Sequence, residues 1–372
     1  MRKAKHILPG SLALAGCLAL VLAFMLASAP TLPVQADEPH QETEKYCLSC
    51  HGNPDLKMTL PSGEEVSLYI SEDDLKNSVH SPVGIECEAC HTEIKTYPHP
   101  AINFQTRREM TRTYYQACQK CHPDNYAKAQ DSMHAQVAQA GNLEAPVCTD
   151  CHGAHDVRPP DQPRAQISTT CGKCHTEINQ EYIQSIHGSV LLGEDNPDVP
   201  VCTDCHGVHN IQDPRTAQFR VDTPDLCARC HADADLMAKY GLSADVYGLY
   251  DLSWHGVDVS VYKSQWPTIW HESAVCTDCH GIHNIRTTDD PASTVYPDNL
   301  LATCQKCHPG VGPNWTGAWT GHNKIDKERT PALYYTDVFY SSFTSSVLWL
   351  SIIYVLLQIL HAIVNRVRRS LS

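Results

Sequence analysis

Nine copies of Cys-x-x-Cys-His punctuate this chain of 372 residues, and they use 18 of its 19 cysteines. They are Cys47/Cys50/His51, Cys87/Cys90/His91, Cys118/Cys121/His122, Cys148/Cys151/His152 and Cys171/Cys174/His175. The series continues with Cys202/Cys205/His206, Cys227/Cys230/His231, Cys276/Cys279/His280 and Cys304/Cys307/His308. Only Cys17 stands outside it. A disulfide framework has no reason to place histidine after every second cysteine, and a structural zinc site takes two Cys-x-x-Cys pairs per metal without that constant histidine. Neither accounts for a motif repeated with no cysteine wasted.

The spacing has a chemical reason. Two thiols three residues apart on a tight turn can add across the two vinyl groups of one porphyrin, and the adjacent histidine then reaches its iron as proximal ligand. In these motifs the sequence resembles the multihaem cytochromes c, and the likeness covers nearly everything between residues 47 and 322. The resemblance implies nine haem c groups, attached outside the cytoplasmic membrane of a bacterium, and a role in electron transport.

A repeat runs beneath the motifs: Ser-x-His, then CxxCH with another histidine after it, then a second CxxCH. It opens at Ser78-Val79-His80, Ser132-Met133-His134, Ser185-Ile186-His187 and Ser253-Trp254-His255, and the second motifs of the four units start at Cys118, Cys171, Cys227 and Cys304. The Cys47 motif precedes the first unit, giving a single-haem segment followed by four two-haem units over about residues 78–308.

The remaining histidines match the irons in number. His80, His134, His187, His255 and His322 occupy Ser/Thr-x-His or related settings after odd-numbered motifs, and His99, His155, His209 and His283 follow even-numbered ones. These are the nine candidate distal ligands. Four methionines in the mature chain, Met58, Met110, Met133 and Met237, could not serve nine irons, so bis-histidine ligation at low potential is expected. His271 competes with His255, and Ser-Trp-His-Gly, which matches Ser-Ile-His-Gly at 185–188, favours His255. His6, His40 and His361 are left over. In Cys-Thr-Asp-Cys-His-Gly-Val-His, three residues of chain span at most about 10 Å. That is too little to pass round a porphyrin held by Cys202, Cys205 and His206, so His209 is expected to serve a neighbouring haem.

The ends read as targeting and anchoring segments. Arg2, Lys3 and Lys5 precede an apolar run, and Val34-Gln35-Ala36 offers a cleavage site, so residues 1–36 read as a secretory signal. An uncleaved anchor and a lipobox at Cys17 are the alternatives. Residues 347–364 carry no charge and, at about 27 Å as a helix, can span a bilayer. Aromatic residues crowd the approach and Arg366, Arg368 and Arg369 follow, which places residues 366–372 in the cytoplasm after a membrane helix at 346–365. His361 falls within that helix, where an ionisable group marks a haem or quinol contact, or reaches the interface as a neutral ring.

With the three basic residues at each end set aside, 42 acidic residues face 22 basic ones, a net charge near −20 for residues 37–345. Nucleic acid and anionic headgroups are poor partners for such a surface, and a basic face on a second, extracytoplasmic redox protein is a better one. The expected architecture is mainly α with much irregular structure, repeated two-haem units around a haem core, and one C-terminal transmembrane helix. The expected function is electron transfer between the quinone pool or a membrane cytochrome b and that partner, in bacterial respiration at the periplasmic side of the cytoplasmic membrane. The competing function is a multihaem reductase or oxidase of a small nitrogen or sulfur compound; that chemistry needs an open iron position, and the chain has no CxxCK motif of the kind that marks one in the nitrite-reducing enzymes.

Overall fold

The structure is a computed structural model, described for residues 41–371 apart from 195, 319–321, 323 and 329. The expected signal segment, with His6, Cys17 and His40, lies outside the described residues. The rest is a succession of short helices joined by turns, with a single described sheet. That sheet is a hairpin of β1 (Lys57–Thr59) and β2 (Glu65–Ser67), paired antiparallel with Met58 opposite Val66. It buries Leu60 and Val66 beside the first motif.

Three recurring local devices explain why these residues fold as they do. The first is the serine of Ser-x-His. Ser132, Ser185 and Ser253 cap helices, each accepting the N–H three residues on, from Ala135, Gly188 and Gly256. Such a cap supplies about 1 kcal/mol and fixes the helix start, so the histidine always emerges from the first turn. Gly188 and Gly256 follow because a Cβ at either place would collide with the carbonyl of Tyr182 or Tyr250.

The second device is the Cys-Thr-Asp-Cys-His turn. Helices Cys148–His152, Cys202–His206 and Cys276–His280 are each closed at the start by the aspartate, whose carboxylate accepts the N–H of Val147, Val201 or Val275 at 2.6–2.7 Å. Each ends on a glycine with φ between 79° and 83°, Gly153, Gly207 and Gly281, and ψ near 175°. Only glycine takes that conformation without strain. It reverses the chain, so the histidine three residues past the motif leaves in a direction of its own.

The third device joins one unit to the next. Arg108, Arg164 and Arg220 each reach forward to the aspartate of the following Cys-Thr-Asp-Cys-His, Asp150, Asp204 and Asp278. Arg108 and Arg220 also donate to carbonyls of the segment leading in, Leu143 and Ala145 for one and His271 and Ser273 for the other. A backbone bond repeats alongside: Val79, Met133 and Ile186 donate to the carbonyls of Val157, Ile211 and Ile285 at 2.7–2.8 Å. Units therefore meet their successors through one charged clamp and one backbone bond, as in a solenoid whose repeats contact only their neighbours.

Few described side chains are deeply buried, and the one buried cluster is Val221, Val259 and Val275. At the end of the chain a 41-residue helix, Pro331–Leu371, runs without burying any of its length. It extends beyond both ends of the expected 346–365 segment, because Tyr334 to Phe343 and the arginine-bearing tail continue the same helix.

The clamps differ in exposure, and this gives a test. Arg220 is the most enclosed, with 14 % of its side chain exposed against 31 % for Arg164. Arg220→Ala should cost about 2 kcal/mol, by stranding Asp278 and two carbonyls, and Arg164→Ala about half that. Thermal unfolding of the haem-loaded protein should rank the two variants in that order.

Candidate haem-binding sites

Every motif histidine faces a second imidazole. The ring centres lie 6.1 Å apart for His51–His99, His91–His155, His152–His209, His206–His283 and His280–His322. They lie 6.2–6.3 Å apart for His80–His122, His134–His175, His187–His231 and His255–His308. All nine candidate distal histidines take part, each with one motif histidine. Rings packed for their own sake approach at 4.5–7 Å in many tilts, so a value repeated to within 0.2 Å at all nine sites points to a common spacer. Two imidazoles on one transition metal, each nitrogen about 2 Å from it, place their ring centres roughly 6 Å apart. The residues present fit an iron between them.

The pairing follows two rules. Within each unit, the Ser-x-His histidine crosses to the second motif: His80 to His122, His134 to His175, His187 to His231 and His255 to His308. Across units, the histidine after a first motif reaches back to the first motif of the unit before: His155 to His91, His209 to His152 and His283 to His206. His99 does the same for the preceding His51 motif, and His322 closes the series at His280. The neighbour that His209 meets is thus the motif two before its own.

His271 goes elsewhere. Its Nε2 lies 2.5 Å from the Asp258 carboxylate, and its ring stacks on Tyr262 with centres 3.4 Å apart. His361 lies one helical turn from Asn365, whose amide is 2.8 Å from its Nε2.

Burial prepares the paired rings for a metal. It pushes His187 down to about 4 and also lowers His91, His155, His206 and His280, which keeps each in the neutral form that binds iron. The orientation of His51 is fixed from the second shell, its Nδ1 standing 2.8 Å from the Leu68 carbonyl beyond the hairpin.

None of the motif cysteines is in a disulfide, and the two cysteines of a motif differ in exposure. The first is half-buried in all nine motifs. The second is exposed at Cys50, Cys90, Cys121, Cys151, Cys174, Cys205 and Cys307 and half-buried at Cys230 and Cys279.

The motifs also stand in sequence order. The first cysteine of a unit's second motif meets the first cysteine of the next unit: Cys118 with Cys148, Cys171 with Cys202 and Cys227 with Cys276. Within units the second cysteine of the first motif neighbours the second motif, as Cys90 does Cys118 and Cys121, Cys151 does Cys171 and Cys174, and Cys279 does Cys304 and Cys307. The helix Gln41–His51 packs on the short helix Cys87–Cys90 at the start of the row.

Counting histidines did not reveal the arginine clamps. Their signal was available in the aspartate shared by three Cys-Thr-Asp-Cys-His turns, each with an arginine 40, 42 or 58 residues earlier.

Residues 79–176 match the family model described as cytochrome c3, and residues 195–236 match the model of a doubled CXXCH motif. Among curated proteins none matches the chain. Motifs, facing imidazoles and both matches converge: the chain is a multihaem cytochrome c, an electron-transfer protein that holds covalently bound haem c.

Proposed function

We propose that the chain is a nonahaem cytochrome c, held at the outer face of the cytoplasmic membrane by its C-terminal helix. It carries electrons between the quinone pool or a membrane cytochrome b and an extracytoplasmic redox protein. The observation that carries this reading is the set of nine facing imidazole pairs, arranged in the order of their motifs.

Bound haem supplies a reversible one-electron centre at each site, and the chain does the rest. Each cysteine pair would clamp one porphyrin, the two neutral imidazoles would both ligate its iron, and histidine in place of a methionine ligand would favour low potentials. With both positions filled by protein, a site passes electrons and offers a substrate no place to bind, which favours transfer over a reductase or oxidase. The cysteines that meet between consecutive units would bring neighbouring haems near one another, which supports a continuous row for an electron to follow. The acidic surface suits delivery to a basic partner at an ionic-strength-dependent rate. Residues 347–364, long and apolar enough to cross a membrane, support the anchor.

Haem content measured as pyridine haemochrome should be nine per chain, and the oxidised protein should show low-spin ferric signals alone in electron paramagnetic resonance; high-spin iron in the wild type would speak for an open catalytic site. His255→Ala should convert one haem to high spin, whereas His271→Ala should leave the spectrum unchanged; the reverse result would exchange their roles. In membranes, added quinol should reduce the c-haem, and no quinol-dependent reduction would remove the quinone pool from the scheme.

A further inference from the structure

The four units provide an internal comparison. In the second and third, the helix that follows Ser-x-His shows solvent small or polar residues two and six places past the histidine: Gln136 and Ala140, then Ser189 and Gly193. In the fourth these places hold Val257 and Val261, both exposed, and the residue before the histidine is Trp254, 91 % exposed. The corresponding Met133 and Ile186 are engaged by the following unit through the backbone bond described above. Trp254, Val257 and Val261 fall at i, i+3 and i+7 of helix Trp254–Gln265, so they form one stripe. The opposite side of the helix is seated on the protein through Gly256 and Val259. Asp258, on the same helix beside the stripe, is held by His271. Leu252, Trp266, Ile269 and Trp270, in the same segment, are also exposed, Trp270 donating to Glu272 and lying under the Arg220 guanidinium.

Resting on the reading of the C-terminal helix as an anchor, we propose that this Trp254 face lies in the headgroup layer of the bilayer that the anchor enters. The fourth unit is the one tied to the anchor. His322 pairs with His280 and Lys324 with Asp245, and Pro331 begins the long helix only nine residues after His322, about 30 Å of chain at full stretch. The 41-residue helix is about 62 Å long, against about 40–45 Å for a bilayer with its headgroups. With residues 347–364 in the hydrocarbon, Phe343 falls in the outer interface and Pro331 stands about 24 Å out, so the roughly 30 Å of chain between His322 and Pro331 is what lets the fourth unit fold back to the surface. Tryptophan favours that layer, and an amphipathic helix with a neutral apolar face enters it without help from basic residues. His255 leaves the same helix beside Trp254 and pairs with His308, so the last site in the row becomes the membrane end of the electron path.

The test uses the full-length, haem-loaded protein in phosphatidylcholine nanodiscs containing a lipid with a headgroup diazirine, to report on 252–270, and a lipid with an acyl-chain diazirine, to report on 347–364, irradiated and mapped by mass spectrometry. Adducts are expected on peptides covering 252–270 as well as 347–364. The triple variant Trp254→Ser, Val257→Ser, Val261→Ser, with an unchanged haem spectrum as the check on folding, should lower labelling of 252–270 about tenfold and leave the anchor peptides unchanged. Labelling of 347–364 with none on 252–270 overturns the proposal and leaves the anchor standing, and so does a co-purifying subunit that crosslinks to 252–270 in place of lipid. No label on either region overturns the anchor reading as well.

Discussion

Two imidazoles facing each other across about 6 Å is the contact on which the other features of this chain depend. It demands that one ring come from the short turn that carries the cysteines and the other from somewhere else, because a turn already clamped to a porphyrin cannot wrap round it. Satisfying that demand nine times in one row produces the architecture. The second, third and fourth units each supply a ring to themselves from a capped helix and a ring to the predecessor from a glycine-reversed turn, and the first supplies His80 and His99 in the same two roles. The arginine clamps hold the turns at the angle this exchange requires. With so few apolar side chains buried, cofactor and ligand geometry do the organising that a hydrophobic core does in most domains.

Much of the site was legible in the sequence because its chemistry is tied to residue type. Cysteine spacing marked the attachment points, and nine remaining histidines in two kinds of setting marked the second rings. The choice of His255 over His271 followed from a local match, Ser-Trp-His-Gly with Ser-Ile-His-Gly. In the structure that match corresponds to a shared serine cap and a glycine under a carbonyl, while His271 turns to Asp258. What could not be read was partnership. Nothing local to His209 says whether it meets His122, His152 or His175, since the answer depends on how one unit sits against the next. That placement rests on Arg164 reaching Asp204 and Met133 reaching Ile211, contacts between residues 40 and 78 positions apart. The β-hairpin at Lys57–Ser67 was equally silent, being three residues per strand, too short for alternation to stand out.

The glycine after the motif shows how little sequence it takes to change a connection. In Cys-Thr-Asp-Cys-His-Gly-Val-His the two histidines lie three residues apart, yet one stays with its own cysteines and the other meets a site two motifs back. The residue between them that matters is Gly207, at φ 81°. A side chain there would oppose the reversal and strain the segment that joins two centres.

The backward reach of these histidines also sets a timetable. A chain made from its N-terminus presents His91 before His155, His152 before His209 and His206 before His283, so each of these first-motif histidines waits for the following unit to arrive before its second ring is present. Second-motif centres have no such wait, because His80, His134, His187 and His255 precede them. The pairing is thus staggered, second-motif rings meeting partners already made and first-motif rings one unit late, and the set is complete only when His322 emerges just ahead of the final helix. A chain cut short between the first motif and His322 leaves at least one first-motif histidine without its second ring.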